Sequence, residues 1–259
     1  MIADPVLLTR PPATARDGRI VAVASGKGGV GKTWFAITLA HALARAGRRV
    51  LLFDGDLGLA NVDIQLGLVP AHDLAGVVAG RRSLAASVVH HQGGFDILAG
   101  RSGSGALSAL DDAALDAVLA ALRDAARAYD HVVLDLGAGI ERATRRLSGA
   151  ADLLLVLATE EPTSLTDAYA VLKLHLADAS AGEARVVVNQ ASTPAAGERT
   201  YATLARACAS FLGHTPKLAG IIRRDDRVRD AIRRQTLLLQ RHPNAPAAGD
   251  VERVVAGLA

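Results

Sequence analysis

The stretch Gly26-Lys27-Gly28-Gly29-Val30-Gly31-Lys32-Thr33 decides the fold of this chain. It matches the pattern G-x-x-x-x-G-K-[ST] in full, after the apolar run Ile20–Ala24 and at the start of a helical pattern over Thr33–Ala46. Glycines at these positions let backbone N–H groups converge on phosphate oxygens, and the helix N-terminus adds its dipole. The sequence therefore predicts a phosphate-binding loop that joins a strand to a helix.

Two side chains of this loop carry most of its predicted chemistry. Lys32 is expected to reach the β- and γ-phosphates of a nucleotide, and Thr33 to offer its hydroxyl to Mg²⁺. The pattern does not require Lys27, for which a solvated loop lysine and a functional lysine are the two interpretations. The predicted nucleotide-binding residues of this segment are Gly26, Lys27, Gly28, Gly29, Val30, Gly31, Lys32, Thr33 and Trp34.

Apolar runs alternate with helical patterns along the rest of the chain. The runs are nearly continuous in apolar character, as expected for strands covered on both faces. We therefore predict an α/β fold, a single-domain doubly wound and mostly parallel β-sheet flanked by helices. The predicted strands after the first are Arg49–Phe53, Phe95–Leu98, His131–Asp135, Leu153–Ala158, Arg185–Asn189 and Lys217–Ile222, and the predicted helices include Asp111–Ala128 and Thr163–Ala177.

The sequence has no internal repeat and no linker that divides it into two halves. We predict a disordered leader over residues 1–18, one domain over 19–259, and a C-terminal helix at about 249–259. Polar, small-residue stretches at Ala99–Ser108 and Ala191–Glu198 are predicted to be loops, as are the adjacent histidines His90 and His91.

Composition excludes several classes of protein. Half of the 259 residues are hydrophobic, 3% are aromatic and 21% are charged, which excludes a disordered or collagen-like chain. The single cysteine, Cys208, excludes a disulfide framework and is too few for an iron–sulfur carrier of this fold. The prolines near the start and the lack of a long apolar run there argue against a signal peptide, so we expect a cytoplasmic protein.

The loop Lys-Gly-Gly-Val-Gly-Lys-Thr resembles the deviant Walker A loop of the MinD/ParA ATPase family. In that family the first lysine reaches the partner's nucleotide across an ATP-sandwiched dimer, and this resemblance favours the functional interpretation of Lys27. It implies a slow, Mg²⁺-dependent ATP hydrolase that binds ATP or ADP and forms a homodimer with ATP. The implied catalytic residues are Lys27, Lys32 and Asp56.

Further stretches extend the resemblance. Asp54–Asp63 is similar to the family's switch I, in which Asp56 would orient the attacking water and Asp54 would support the magnesium shell. Asp135 matches a Walker B carboxylate, and the residues after it resemble switch II. The residues implied to hold Mg²⁺ are Thr33, Asp54 and Asp135.

Three residues concern the rest of the nucleotide. Asn189 resembles the residue that hydrogen-bonds adenine, although asparagine at a strand end is also common in turns. Arg223 lies in a segment similar to the loop that flanks the base, where a proline is usual. Trp34 stands where many relatives carry a hydroxyl that binds the α-phosphate, so we expect weaker nucleotide binding or a packing role for its indole.

Several stretches are most similar to the flagellar-number regulators among the MinD-like ATPases, the FlhG/FleN branch. The resemblance implies a dimeric switch that regulates flagellar number or placement. It also implies a signal-recognition-type GTPase or an AAA+ transcription activator as partner, and recruitment to the cell pole or inner membrane by partners. The stretches are Asp56–Asp63, Leu98–Gly103, Asp135–Ile140, Glu161–Tyr169 and Gln240–Ala248.

Two other functions remain as alternatives. One is a ParA-type partition ATPase that binds DNA nonspecifically, because seven arginines lie between Arg223 and Arg241. Pairs such as Asp226–Arg229 and Asp230–Arg233 or Arg234 have helical ion-pair spacing, which favours a solvated helix over a DNA surface. The other alternative is a nucleotide-binding switch with negligible turnover.

The C-terminal helix is predicted to pack on its own domain. Val251, Val254, Val255 and Leu258 form an apolar stripe that lacks aromatic residues, and Arg253 is the one cation beside it. Helices that bind lipid need a larger apolar area and cationic flanks. We therefore predict no autonomous membrane anchor in this segment.

Overall fold

The computed structural model describes residues 18–100, 111–178, 180 and 182–258. Within them an eight-stranded sheet has the order β3-β4-β2-β5-β1-β6-β7-β8, parallel except for the antiparallel pair β3 and β4. The strands are β1 Arg19–Ser25, β2 Val50–Gly55, β3 Val89–His90, β4 Asp96–Leu98, β5 His131–Ala138, β6 Leu153–Ala158, β7 Glu183–Ala191 and β8 Lys217–Arg223.

Helices cover both faces of the sheet and bury one apolar cluster on each. One face carries α1 Lys32–Arg45, α2 Val62–Leu66, α9 Asp226–Arg233, α10 Leu238–Arg241 and α11 Pro246–Ala256. The other carries α3 Leu74–Val78, α5 Asp112–Ala128, α6 Arg142–Gly149, α7 Pro162–Ala177 and α8 Pro194–Leu212, with the short α4 Leu84–Ser87 beside α3 and α5.

The predicted fold class is confirmed, because a mostly parallel sheet lies between two layers of helices. Its continuous apolar strands are buried for the predicted reason: β6, for example, is buried at every one of its six residues. None of the helices in the described part of the chain is both long and apolar enough to cross a membrane.

Two predictions about loops are wrong. The stretch Ala191–Glu198 ends β7 and then begins α8, because the Thr193 side chain caps the helix at Ala196 N–H and Pro194 occupies its first turn. His91 is buried and its ring stacks on Phe95, at a centroid distance of 5.0 Å. Most of the other predicted loop, residues 101–108 of Ala99–Ser108, lies outside the described residues, as does the predicted leader up to residue 17.

The C-terminal helix α11 begins at Pro246, three residues before the predicted start. Val251 and Val254 of α11, and Leu258 just after the helix, are buried in the apolar cluster that also includes residues of α1. Arginines from two strands hold its end: Arg19 Nη1 donates to the Leu258 carbonyl at 2.7 Å, and Arg185 Nη1 donates to the Gly257 carbonyl at 3.1 Å. The apolar stripe is therefore part of the core.

The carboxyl ends of the parallel strands meet at one edge of the sheet. The strand order reverses at β1, because β2, β3, β4 and β5 lie on one side of it and β6, β7 and β8 on the other. In open α/β sheets a crevice forms at such a switch point, outside the strand ends. The segment that joins β1 to α1 lies there.

Candidate nucleotide site

The phosphate-binding loop connects β1 to α1 without regular structure, as the motif requires. Gly31 caps the helix with φ 90°, in the left-handed region that a side chain disfavours. A Cβ on Gly31 would also lie 2.6 Å from Asn189 Nδ2. Glycine is therefore required at this position twice, by backbone conformation and by the close approach of β7.

Lys32, Thr33 and Asp135 lie together at the base of the loop. Lys32 is 9% exposed, and burial lowers the pKa of its ammonium while Asp135 and Asp56 oppose that shift. Burial raises the pKa of Asp135 to about 7, and a hydrogen bond from the Thr33 hydroxyl and the charge of Lys32 oppose this. The side chains predicted to bind phosphate and magnesium thus already interact with one another.

Asp54 and Asp56 stand at the carboxyl end of β2. Asp54 is fully buried beside Asp135, its register partner on β5, and burial followed by Asp135 raises the pKa of its carboxyl well above the ordinary value. The backbone N–H groups of Asp56 and Val62 donate to Asp54 at 3.2 and 3.3 Å. Asp56 Oδ1 accepts from the N–H groups of Gly58 and Leu59 at 3.2 and 2.9 Å, which folds switch I around its carboxylate.

These groups fit Mg²⁺ in the presence of a nucleotide. A hydroxyl and two carboxylates are the oxygen ligands that Mg²⁺ prefers. Asp135 Oδ1 is buried and accepts no hydrogen bond from any residue the structure describes. Within the same residues no group of three or more His, Cys, Asp or Glu side chains could hold a metal alone, so nucleotide phosphates would complete the shell.

Lys27 points to the start of α7. Its Nζ lies 2.6 Å from Glu161 Oε2 and 3.1 Å from Thr163 Oγ1. The side chains of Lys27 and Glu161 are 38% and 66% exposed, and the lysine lowers the pKa of the Glu161 carboxyl. Lys27 therefore lies on the open side of the loop, away from the group formed by Lys32, Thr33 and Asp135.

The end of β7 holds the loop in place. Asn189, which is 2% exposed, donates from Nδ2 to the Val30 carbonyl at 2.7 Å. Gln190 has a φ of 57° and donates from Nε2 to the Gly29 carbonyl at 3.4 Å. Asn189 thus supports the loop, a contact that the sequence did not predict. Sequence reasoning missed Gln190, since the left-handed conformation that aims its side chain has no signal in the sequence.

A cavity of about 280 Å³ lies beside the loop. Trp34 contributes to its wall, is 6% exposed, and its indole N–H has no acceptor among the described residues. Arg223 also lies on the wall, but its guanidinium donates to Asp250 on α11, with Nη2 at 2.8 Å from Oδ1. The lining residues are Gly29, Gly31, Trp34, Asn189, Gln190, Arg223, Arg224, Asp225, Asp226, Val228, Arg229 and Ile232.

The arginine-rich stretch is paired in part. Asp230 accepts from Arg234 at 2.9 Å, as the helical spacing predicted, and also from Arg241 at 2.6 Å and His242 at 2.9 Å. These contacts lower the pKa of the Asp230 carboxyl. By contrast, the predicted pair of Asp226 with Arg229 does not form, and of the two alternatives predicted for Asp230, Arg233 or Arg234, the pair with Arg234 is the one present. Three arginines, Arg224, Arg229 and Arg233, make no ion pair with a residue in the described part of the chain.

A protein-family model for the CobQ/CobB/MinD/ParA nucleotide-binding domain matches residues 21–238. The chain belongs to this family. The match includes the phosphate-binding loop, both carboxylate-bearing strand ends and the arginine-rich stretch as far as residue 238.

Individual relatives of this MinD/ParA-family chain agree with the match. Antiactivator FleN of Pseudomonas aeruginosa is 38% identical over 230 residues, which cover 89% of this chain and 82% of FleN. Flagellum site-determining protein YlxH of Helicobacter pylori is 29% identical, over 93% of this chain and 81% of YlxH. The septum site-determining protein MinD of Pyrococcus horikoshii, solved with Mg-ADP, has a TM-score of 0.77 at 24% identity, covering 93% of this chain and 96% of that one.

The MinD/ParA-family fold thus gathers most of the predicted site residues at one edge of the sheet. Lys32, Thr33, Asp54, Asp56 and Asp135 form one group, and Asn189 lies against the loop. Two contacts had no predicted counterpart: the pairing of Lys27 with α7 and that of Arg223 with α11. The stretch that begins at Glu161 had been singled out as family-like, but its role beside Lys27 depends on tertiary structure.

Proposed function

We propose that this chain is a Mg²⁺-dependent ATPase that dimerises when ATP is bound and, as a switch, regulates flagellar number or placement. The observation that carries the nucleotide chemistry is the group of Lys32, Thr33 and Asp135 at the phosphate-binding loop, with one buried Asp135 oxygen left to accept a ligand. The flagellar part of the proposal is supported by the similarity to FleN and YlxH.

Each residue would have a separate task in hydrolysis. Lys32 and the loop N–H groups hold the β- and γ-phosphates, while Thr33, Asp54 and Asp135 hold the magnesium shell. Bound Mg²⁺ would supply positive charge that neutralises the phosphates. Asp56 orients the attacking water, and its carboxylate is already fixed by two backbone N–H groups. Lys27 completes the partner's site in the dimer.

Phosphate release tests this assignment. Lys32→Ala should lose nucleotide binding, since the ammonium contacts phosphate in the ground state. Asp56→Ala should bind ATP and fail to hydrolyse it, because its carboxylate acts on water. Equal loss of binding in both variants would show that Asp56 is misassigned. Tight ATP binding without phosphate release by the unchanged protein would favour the switch with negligible turnover.

Partner proteins would deliver the dimer to its place of action. We propose a flagellar signal-recognition-type GTPase or an AAA+ flagellar transcription activator as partner, with a cytoplasmic protein recruited to the pole or inner membrane. The buried stripe of α11 supports recruitment by partners over a lipid anchor within the helix. Sedimentation with anionic liposomes and ATP tests this: pelleting of the full chain, but not of one that ends at Gly249, would contradict it.

DNA binding of the partition type is the second candidate. It is favoured by one observation: Arg224, Arg229 and Arg233, on or near α9, form no ion pair with any residue that the structure describes. Filter binding with and without ATP separates the two functions. ATP-dependent and steeply salt-dependent retention of DNA would favour partition, whereas weak retention that ATP does not change agrees with the flagellar switch.

A further inference from the structure

The C-terminal helix α11 is joined to the segment that follows β8 through one buried carboxylate. Asp250 Oδ2 accepts from the Arg223 backbone N–H at 2.9 Å, and Oδ1 accepts from Arg223 Nη2 at 2.8 Å. The Asp250 side chain is 1% exposed. Both the backbone and the guanidinium of Arg223 are therefore fixed by the same residue of α11.

The first turn of α11 makes two more contacts with this segment. Arg223 Nη2 donates to the Pro246 carbonyl at 3.2 Å, and the Ala247 N–H donates to Asp225 Oδ2 at 3.4 Å. Asp225 also accepts from the Arg227 N–H at 3.0 Å and so caps α9. The segment Arg223–Asp226, which lines the cavity, is thus held from the side of α11.

The helix also packs directly on the elements that bound the cavity. A Cβ on Gly220 of β8 would lie 2.5 Å from Val254 Cγ2, so α11 approaches β8 too closely for any side chain there. Val251 and Val254 are buried in the same cluster as Trp34, which belongs to α1 and to the cavity wall. Movement of α11 would therefore disturb two walls of the cavity.

A buried charge makes this connection stiff. Separating Asp250 from Arg223 would leave a desolvated carboxylate with fewer donors, which is costly in a protein interior. Arg253 donates to Asp250 as well, but its side chain is 68% exposed and it belongs to α11 itself. Of the two arginines that pair with Asp250, Arg223 is thus the one that links α11 to the cavity.

We propose that Asp250 is a positioning residue for the nucleotide cavity, and that docking of α11 and binding of nucleotide are coupled through the Asp250–Arg223 pair. The inference rests on the proposed function only in that the cavity beside the loop takes nucleotide. Coupling between two sites is reciprocal. A loosened α11 therefore weakens nucleotide binding, and bound nucleotide slows the opening of α11.

The test combines calorimetry with hydrogen–deuterium exchange on the full chain, with Mg-ADP as the probe. Asp250→Asn should raise the Kd for ADP by about fivefold or more. Glu252→Gln is the matched control, because it also replaces a carboxylate by an amide on α11. The ion pair that it removes, with Arg45, is exposed. It should leave the Kd unchanged, and Arg253→Ala should do the same.

Hydrogen–deuterium exchange distinguishes a positioning role from a merely structural one, because a merely structural residue would not change how amide exchange in α11 responds to ADP. Saturating ADP should slow amide exchange across residues 247–256 in the unchanged chain and in Glu252→Gln, and this response should be lost in Asp250→Asn. An unchanged Kd in a folded Asp250→Asn overturns the inference. If Asp250→Asn does not fold, the unchanged chain alone decides. The inference is then overturned if ADP has no effect on amide exchange in α11. Failure of the unchanged chain to bind ADP would instead contradict the proposed function.

Discussion

Lys27 Nζ lies 2.6 Å from Glu161 Oε2, so the first lysine of the phosphate-binding loop is paired within its own chain. In the proposed dimer the same lysine must reach the partner's nucleotide. The two arrangements exclude each other, which makes the pair with Glu161 a competitor of dimerisation. Because both side chains are exposed, solvent screens the pair and it is readily exchanged.

Glu161→Gln should therefore strengthen the ATP-dependent dimer, by about fivefold or less for each of the two pairs that break when the dimer forms. Analytical ultracentrifugation of the variant in an Asp56→Ala background with ATP measures the effect. Glu160→Gln is the control, since Glu160 contacts Ser192 and not Lys27. A dimer weakened by Glu161→Gln would show that Glu161 helps to form the interface.

Gly31→Ala should destabilise the protein in the absence of nucleotide. A side chain at a φ of 90° costs about 1–2 kcal/mol, and the added Cβ would also displace the Asn189 amide. Gly28→Ala serves as control because nothing lies within 4 Å of the Cβ it adds and its φ is not positive. Thermal unfolding should show a lower Tm for Gly31→Ala alone. Equal Tm values would indicate that the loop relaxes around the new side chain.

Acid should destabilise the fold through His41 on α1, which is 4% exposed. Burial, followed by the charges of Arg45 and His91, lowers the pKa of His41 to about 4 from an ordinary 6.5. Between those values the unfolded chain binds a proton that the folded chain excludes, so stability falls as the pH drops below 6.5. From pH 7 to pH 5 this loss amounts to about 2 kcal/mol.

Urea unfolding of the unchanged chain and of His41→Leu at the two pH values measures that loss. The variant should lose less stability on acidification than the unchanged chain does. Replacement of His214, which is exposed, is the control and should leave the pH dependence as it was. Identical pH dependence in His41→Leu would mean that other groups dominate the acid response.

Trp34 should stabilise the core more by its volume than by its indole N–H. Trp34→Ala is expected to cost about 3–5 kcal/mol in the free energy of unfolding. Trp34→Phe should cost much less, because the N–H that it removes has no acceptor among the described residues. Chemical denaturation without nucleotide compares the two variants. Similar losses in both would show that the indole stabilises the core by more than its volume.

The elements that the sequence predicted well are those fixed by local pattern. The phosphate-binding loop, the buried strands and the neighbouring strand-end carboxylates Asp54 and Asp135 follow from motif, hydrophobicity and parallel pairing. The contacts that were missed join distant parts of the chain. Glu161 is 134 residues from Lys27, and Asp250 is 27 residues from Arg223. The apolar stripe of α11 predicted that the helix packs on its domain, but not that Asp250 faces Arg223. The helix cap at Thr193 could have been predicted from the sequence. We predicted a loop over Ala191–Glu198 because that cap was not considered.

Light scattering of the Asp56→Ala variant tests the central claim, an ATP-driven dimer completed by Lys27, most directly. The γ-phosphate supplies the contact that distinguishes the dimer from the monomer, so Mg-ATP should give twice the monomer mass and Mg-ADP the monomer mass. Adding Lys27→Ala should return the ATP sample to the monomer mass. A dimer that persists in the double variant, or one that forms equally with ADP, would contradict the account.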